Sequence, residues 1–160
     1  MKLFLNLQTP KPMDNHLSDD HNEQVIRLYF KYLAQMDLDG WLDLIADQVR
    51  QLMPFAPRGF SKLVEGRTRL YQHYRLLLKD QKWLRLPISA VFATQVPGVY
   101  LVEFTLIAKQ QSGKLYMNKH IARFTLADGL IQEIVEYYNP IPLLESLDDQ
   151  DELRINFNLN

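Results

Sequence analysis

A chain of 160 residues, 47% of them apolar and 11% aromatic, holds enough material for one domain with a full core and not for several. Its formal net charge of −1 lacks the basic excess that displaces counterions from phosphates, which argues against a nucleic-acid partner. The absence of cysteine excludes disulfide scaffolds, thiolate metal sites and cysteine nucleophiles, and no apolar run approaches the ~20 residues needed to cross a bilayer.

Residues 1–19 carry Pro10 and Pro12 among scattered polar residues without a sustained period, so they read as a flexible N-terminal arm. The opening apolar stretch breaks at Asn6, too short for a secretory segment, and the expectation is a cytoplasmic protein. A single domain is expected over 20–147, followed by a tail, 148–160, that is acidic from Asp148 to Glu152.

From Glu23 onward, Val25, Ile26, Tyr29, Phe30, Tyr32 and Leu33 share one side of a helical wheel, which predicts an amphipathic helix capped by Asp20. Asp39 is the expected cap of a second helix whose apolar face is Trp41, Leu42, Leu44 and Ile45. A short strand is expected from Val49 to Phe55, where Pro54 and Pro57 stop it, and another at Leu63–Glu65. A third helix follows from Arg67 to about Lys79, with Leu70, Tyr71, Tyr74, Leu77 and Leu78 on one arc and His73 at its margin. The basic residues Arg67, Arg69, Arg75, Lys79, Lys82 and Arg85 read as a solvated face.

Segments 83–95, 99–111, 114–126 and 130–139 are rich in β-branched and aromatic residues, and Pro97-Gly98, Ser112-Gly113 and Asp128-Gly129 separate them. These predict a meander of four antiparallel strands. Helices first and a long-stranded sheet second make an α+β fold. Alternation puts Tyr116, Asn118, His120, Ala122 and Phe124 on one face, and Leu130, Gln132, Ile134, Glu136 and Tyr138 on a face of the next strand. The opposite faces, with Leu115, Met117, Ile121, Ile131, Val135 and Tyr137, are also apolar, which predicts a homodimer packed sheet to sheet.

Asp37 to Asp47 resembles the second-helix segment of nuclear-transport-factor-2-like proteins. Met53-Pro54-Phe55-Ala56-Pro57 with Val64-Glu65-Gly66-Arg67 is similar to the next segment of their SnoaL-like branch. Tyr116-Met117-Asn118, Phe124, Asp128-Gly129-Leu130-Ile131 and Glu136-Tyr137-Tyr138-Asn139-Pro140 resemble that branch's closing hairpin, with phenazine-biosynthesis A/B proteins as the nearest subgroup. The resemblance covers about 22–147. It implies a cone-shaped α+β barrel, three N-terminal helices on a curved and mainly antiparallel sheet, usually dimeric and open to one pocket. It also implies a histidine on the third helix and a glutamate on the last strand that act on substrate, positions held here by His73 and Glu136. The serine one turn after that histidine is replaced by Leu77.

A carboxylate among apolar neighbours such as Ile134 and Tyr138 loses hydration, the condition for general acid or base chemistry near neutrality. With His73 it could move a proton between two substrate atoms, as isomerisation and cyclisation require. Asn118 is expected to orient substrate and His120 to share its wall. Trp41, Tyr74, Phe92, Phe104, Tyr116 and Tyr138 would suit a flat apolar ligand. Glu103 is expected to need a partner, with Arg123 the candidate. The histidine spacing offers no ligand pair for a metal, no glycine pattern cradles a phosphate, and no cofactor is expected. The expected function is therefore a cofactor-independent isomerase- or cyclase-type acid–base enzyme on a small cyclic or aromatic molecule. The alternative is a binding or accessory protein of the same fold.

Overall fold

The computed structural model describes residues 16–146. Helices α1 (His16–Ala34) and α2 (Leu38–Leu42) precede strands β1 (Ile45–Leu52) and β2 (Leu63–Glu65), and helix α3 (Arg67–Leu78) leads into β3 (Gln81–Arg85) and β4 (Ile88–Ala93). The long strands β5 (Val99–Gln110), β6 (Leu115–Ala127) and β7 (Leu130–Tyr138) follow, and helix α4 (Pro140–Ser146) closes the described part. The strands form one curved sheet in the order β2-β1-β7-β6-β5-β3, with β4 also on β5. Only β1 and β7 run parallel; every other pair is antiparallel. The acidic tail and residues 1–15 of the arm lie outside the described residues.

Several boundaries move for identifiable reasons. No proline or glycine lies between Met13 and Ala34, so α1 reaches back to His16. Asp20 is then an exposed residue inside the helix, not its cap. The helix ends with Met36 in the left-handed region (φ 56°), where its N–H bonds the Leu33 carbonyl and Asp37 N–H reaches Tyr32. Asp37, not Asp39, caps α2, its carboxylate accepting from the Gly40 N–H at 3.0 Å. Ile45 leaves that helix and starts β1, opposite Ile131. The strand expected over 83–95 breaks into β3 and β4 at Leu86-Pro87. Proline has no N–H for the ladder, while its carbonyl still accepts from Thr105 at 3.0 Å.

The core lies between α1 and the inner face of the sheet. Ile26, Trp41, Val49, Leu70, Val102 and Ile131 are fully buried there, and Tyr29, Phe30, Phe104 and Phe124 meet edge-on or tilted at centroid distances of 4.7–5.8 Å. The register shifts between β6 and β7 at Thr125/Leu126, so two residues, Gln132 and Glu133, separate the buried Ile131 from the buried Ile134. The bulge corrects the simple alternation: Ile131 joins the core, and Leu130 and Gln132 are only half-buried. Glu133 faces out, where Arg123 reaches it at 2.8 Å and Arg50 at 3.4 Å. Arg123 is thus not the partner of Glu103, which is exposed and needs none. Arg67, from the basic cluster, pairs with Asp47 at 3.2 Å. No helix among the described residues is long and apolar enough to cross a membrane.

Candidate active site

The inner face of the sheet, α1, α3 and α4 enclose a cavity of about 230 Å³. Its walls are mostly apolar, and two of its polar side chains, Gln51 and His120, meet Glu136 of β7. Antiparallel pairing places Glu136 opposite Ala122 and His120 opposite Tyr138, so His120 and Glu136 are diagonal neighbours on the inner face. His120 Nδ1 lies 2.7 Å from Glu136 Oε1, with both side chains largely shielded from water. When Glu136 is ionised it can only accept, so Nδ1 is the donor in this contact and Nε2 is the nitrogen left to face other partners. That Nε2 is buried and has no hydrogen-bond partner among the described residues. The ring is packed between Phe104 and Tyr138 at 5.0 and 5.2 Å.

The other carboxylate oxygen is held from β1. Gln51 Nε2 donates to Glu136 Oε2 at 3.0 Å, and Gln51 itself is 1% exposed. On α1 and α3, the Tyr29 and Tyr74 hydroxyls share a 2.7 Å hydrogen bond. Burial drives both phenols above the ordinary tyrosine range; for Tyr29 the neighbouring Tyr74 comes next, and for both the Glu136 charge adds to it. Burial and the same charge push Tyr138 up to about 12, and Tyr116 moves upward mainly through burial. These hydroxyls therefore stay protonated around the carboxylate at neutral pH.

Among the residues singled out from sequence, Glu136, His73, His120, Tyr138, Leu77, Phe104 and Tyr74 all line this cavity. His73 is on its helical side. Burial lowers its pKa, against the opposing pull of Glu136, and no hydrogen bond joins the two. The histidine hydrogen-bonded to Glu136 is His120. Leu77, half-exposed at 48%, forms part of the rim. Asn118 is buried but is not among the lining residues. Its amide donates to the Tyr116 hydroxyl at 2.9 Å and to the Asn139 carbonyl at 2.7 Å, and so fixes Tyr116, which does line the cavity. Of the other aromatics, Trp41 is wholly in the core and Phe92 is 51% exposed, away from the cavity. Gln51 and Tyr29 escaped sequence reasoning. Gln51 had a signal, a lone amide between the inward Val49 and Met53 of an alternating strand.

The SnoaL-like domain model matches residues 26–134. An uncharacterised PhzA/B-like protein of Pseudomonas aeruginosa is 29% identical over 119 residues, 73% of this chain and 83% of its own length. Among solved structures, a candidate isomerase from Bacillus subtilis aligns with a TM-score of 0.74 at 21% identity, covering 84% of this chain and 95% of its own. A phenazine biosynthesis-related protein from Pseudomonas aeruginosa gives 0.72 at 22% identity, covering 86% and 88%.

Proposed function

We propose a function for a chain that belongs to the SnoaL-like domain family: a cofactor-independent acid–base enzyme of the isomerase or cyclase type, acting on a small cyclic or aromatic compound. The observation that carries the reading is a carboxylate, Glu136, held by His120 at 2.7 Å and Gln51 at 3.0 Å inside an apolar cavity. Its remaining lone pairs can accept a proton from a carbon or oxygen acid bound in the cavity. His120 orients the carboxylate and carries the proton that steadies its charge, and Gln51 keeps the second oxygen from rotating away. His73, kept neutral by burial, can donate or accept across the cavity without adding charge. The raised tyrosines offer hydroxyl protons to an oxygen on which negative charge develops. The reading includes a homodimer formed through the outer face of the sheet.

A bicyclic ketone tests proton transfer without the natural substrate. Tetralone in deuterium oxide exchanges its α-hydrogens slowly, and the wild-type chain is expected to accelerate this. Glu136→Gln keeps the shape and is expected to lower the protein-dependent rate by roughly 100-fold or more, with a melting temperature unchanged or higher. Equal rates in the two proteins would sink the acid–base role. The second reading is a binding pocket without turnover, in which the hydrogen bonds from His120 and Gln51 serve only to hold the Glu136 carboxylate in place. It predicts stabilisation by tetralone with exchange no faster than background.

A further inference from the structure

The cavity is one-sided in charge. Among the described residues, Glu136 is the one acidic side chain that lines it, and no lysine or arginine does. The other titratable groups facing it are His73 and His120, with Tyr29, Tyr74, Tyr116 and Tyr138. His73 is held neutral by burial, and burial likewise keeps the phenols protonated. His120 already spends its Nδ1 proton on Glu136. Near the rim, the ammonium of Lys114 donates to the Ser146 carbonyl and does not line the cavity. An anion bound here would lose its water and sit near a carboxylate, with no lysine or arginine among the described residues lining the cavity to offset either charge. A neutral molecule meets no such penalty, and a protonated amine gains both the carboxylate and the faces of the surrounding tyrosines.

Size narrows the class further. A cavity of ~150 Å³ in another protein takes up benzene, so about 230 Å³ suits two fused rings with a short polar arm. Gln81 Oε1, His120 Nε2 and Gln51 Oε1 are lining atoms buried without partners among the described residues, and the last two, whose side chains bond Glu136, mark where that arm would go. One reaches for a donor or acceptor according to its protonation, and the other accepts.

We propose that the cavity selects an uncharged ring compound of one or two rings, or its protonated amine, and rejects the matching carboxylate or phosphate. This rests on the cavity being the substrate site, as in the function proposed above, but not on turnover.

The test measures dissociation constants of the full chain for naphthalenemethanol, naphthalenemethylamine and naphthoate at neutral pH. The alcohol and amine are expected to bind, and naphthoate to bind roughly 100-fold more weakly. Glu136→Gln removes the resident charge and is expected to narrow the gap about tenfold. Leu77→Lys places a cation at the half-exposed rim and is expected to improve naphthoate binding while leaving Glu136 in place. That second variant preserves the test should Glu136→Gln fold poorly. Naphthoate binding within about threefold of the alcohol would overturn charge selection and leave the cavity standing as the site. Failure of all three probes to bind would overturn both readings.

Discussion

The Tyr29–Tyr74 hydroxyl pair, 2.7 Å apart, ties α1 to α3 beside the carboxylate, and it carries a prediction of its own. Both phenols hold their protons more tightly when folded than when unfolded, chiefly because burial disfavours the phenolate. Above the unfolded tyrosine pKa of 10.0, the unfolded chain releases protons that the folded chain keeps. Fewer protons bound in the unfolded state means that stability falls as pH rises. Their contribution is therefore fully present below about pH 10 and is lost progressively above it. Urea midpoints from neutral pH upward are expected to stay level and then drop. Tyr29→Phe should make the drop shallower while costing about 1 kcal/mol at neutral pH through the lost hydrogen bond. A midpoint that rose through the alkaline range would contradict the burial argument. The same pair marks a limit of sequence reading. Tyr29 looked like one more apolar residue on the α1 face, because nothing in a helical period says where a hydroxyl will find its partner. Glu136 was readable chiefly because the resemblance places an acting glutamate at that position, with apolar neighbours in agreement, whereas Glu103, also an acid in an apolar strand, proved exposed. His120 was placed on the correct face, but strand register, which sets it against Glu136, is a long-range property that local spacing does not encode.

The three long strands were legible because their separators carry the backbone chemistry of turns. Asp128 and Gly129 both adopt positive φ, 52° and 73°, as a two-residue hairpin turn requires. The β6–β7 bulge was not legible, since an extra residue in a ladder leaves no compositional mark. Nor was α4, a short helix after Asn139, whose side-chain oxygen accepts from the Ile141 N–H at 3.1 Å. Among the turns, Pro97-Gly98 before β5 is the most constrained. Gly98 has φ 74°, and a Cβ there would come within 2.4 Å of the Leu126 carbonyl oxygen on β6. The same backbone region is tied by a 2.8 Å hydrogen bond from Leu126 N–H to the Gly98 carbonyl. Gly98→Ala therefore meets both an unfavourable dihedral and a backbone clash that no side-chain rotation relieves. A loss of about 2 kcal/mol or more is expected in denaturant titration. Gly113, with φ 91° but open space around it, is the control: Gly113→Ala should cost about half as much. Equal costs at the two positions would mean that the close approach to Leu126 is not felt.

At the scale of the whole molecule, one face of the sheet closes over the cavity, and much of the other is left exposed by the described residues. On that outer face Leu101, Met117, Ile121 and Tyr137 are 38%, 66%, 45% and 39% exposed, and Ile121 lies opposite Tyr137 on β7 and Glu103 on β5. A patch of this kind in the middle of a sheet is unfavourable in water, and a second copy presenting the same patch about a two-fold axis would cover it. The proposed homodimer is tested at Ile121, the centre of the patch. Ile121→Lys puts a charge where two copies would meet, but in a single chain the new ammonium can reach the exposed Glu103 on the neighbouring strand. The fold is thus expected to survive while the interface does not. Sedimentation should give twice the chain mass for the wild type and the single-chain mass for the variant at the same concentration. Naphthalenemethanol binding should persist in the variant, because the inner face of β6 and β7 supplies the cavity and the outer face does not. A wild-type chain that sediments as a monomer, or a variant that remains a dimer, would remove the outer face from the account of assembly. Loss of ligand binding together with dimerisation would instead mean that the second copy braces the strands carrying His120 and Glu136.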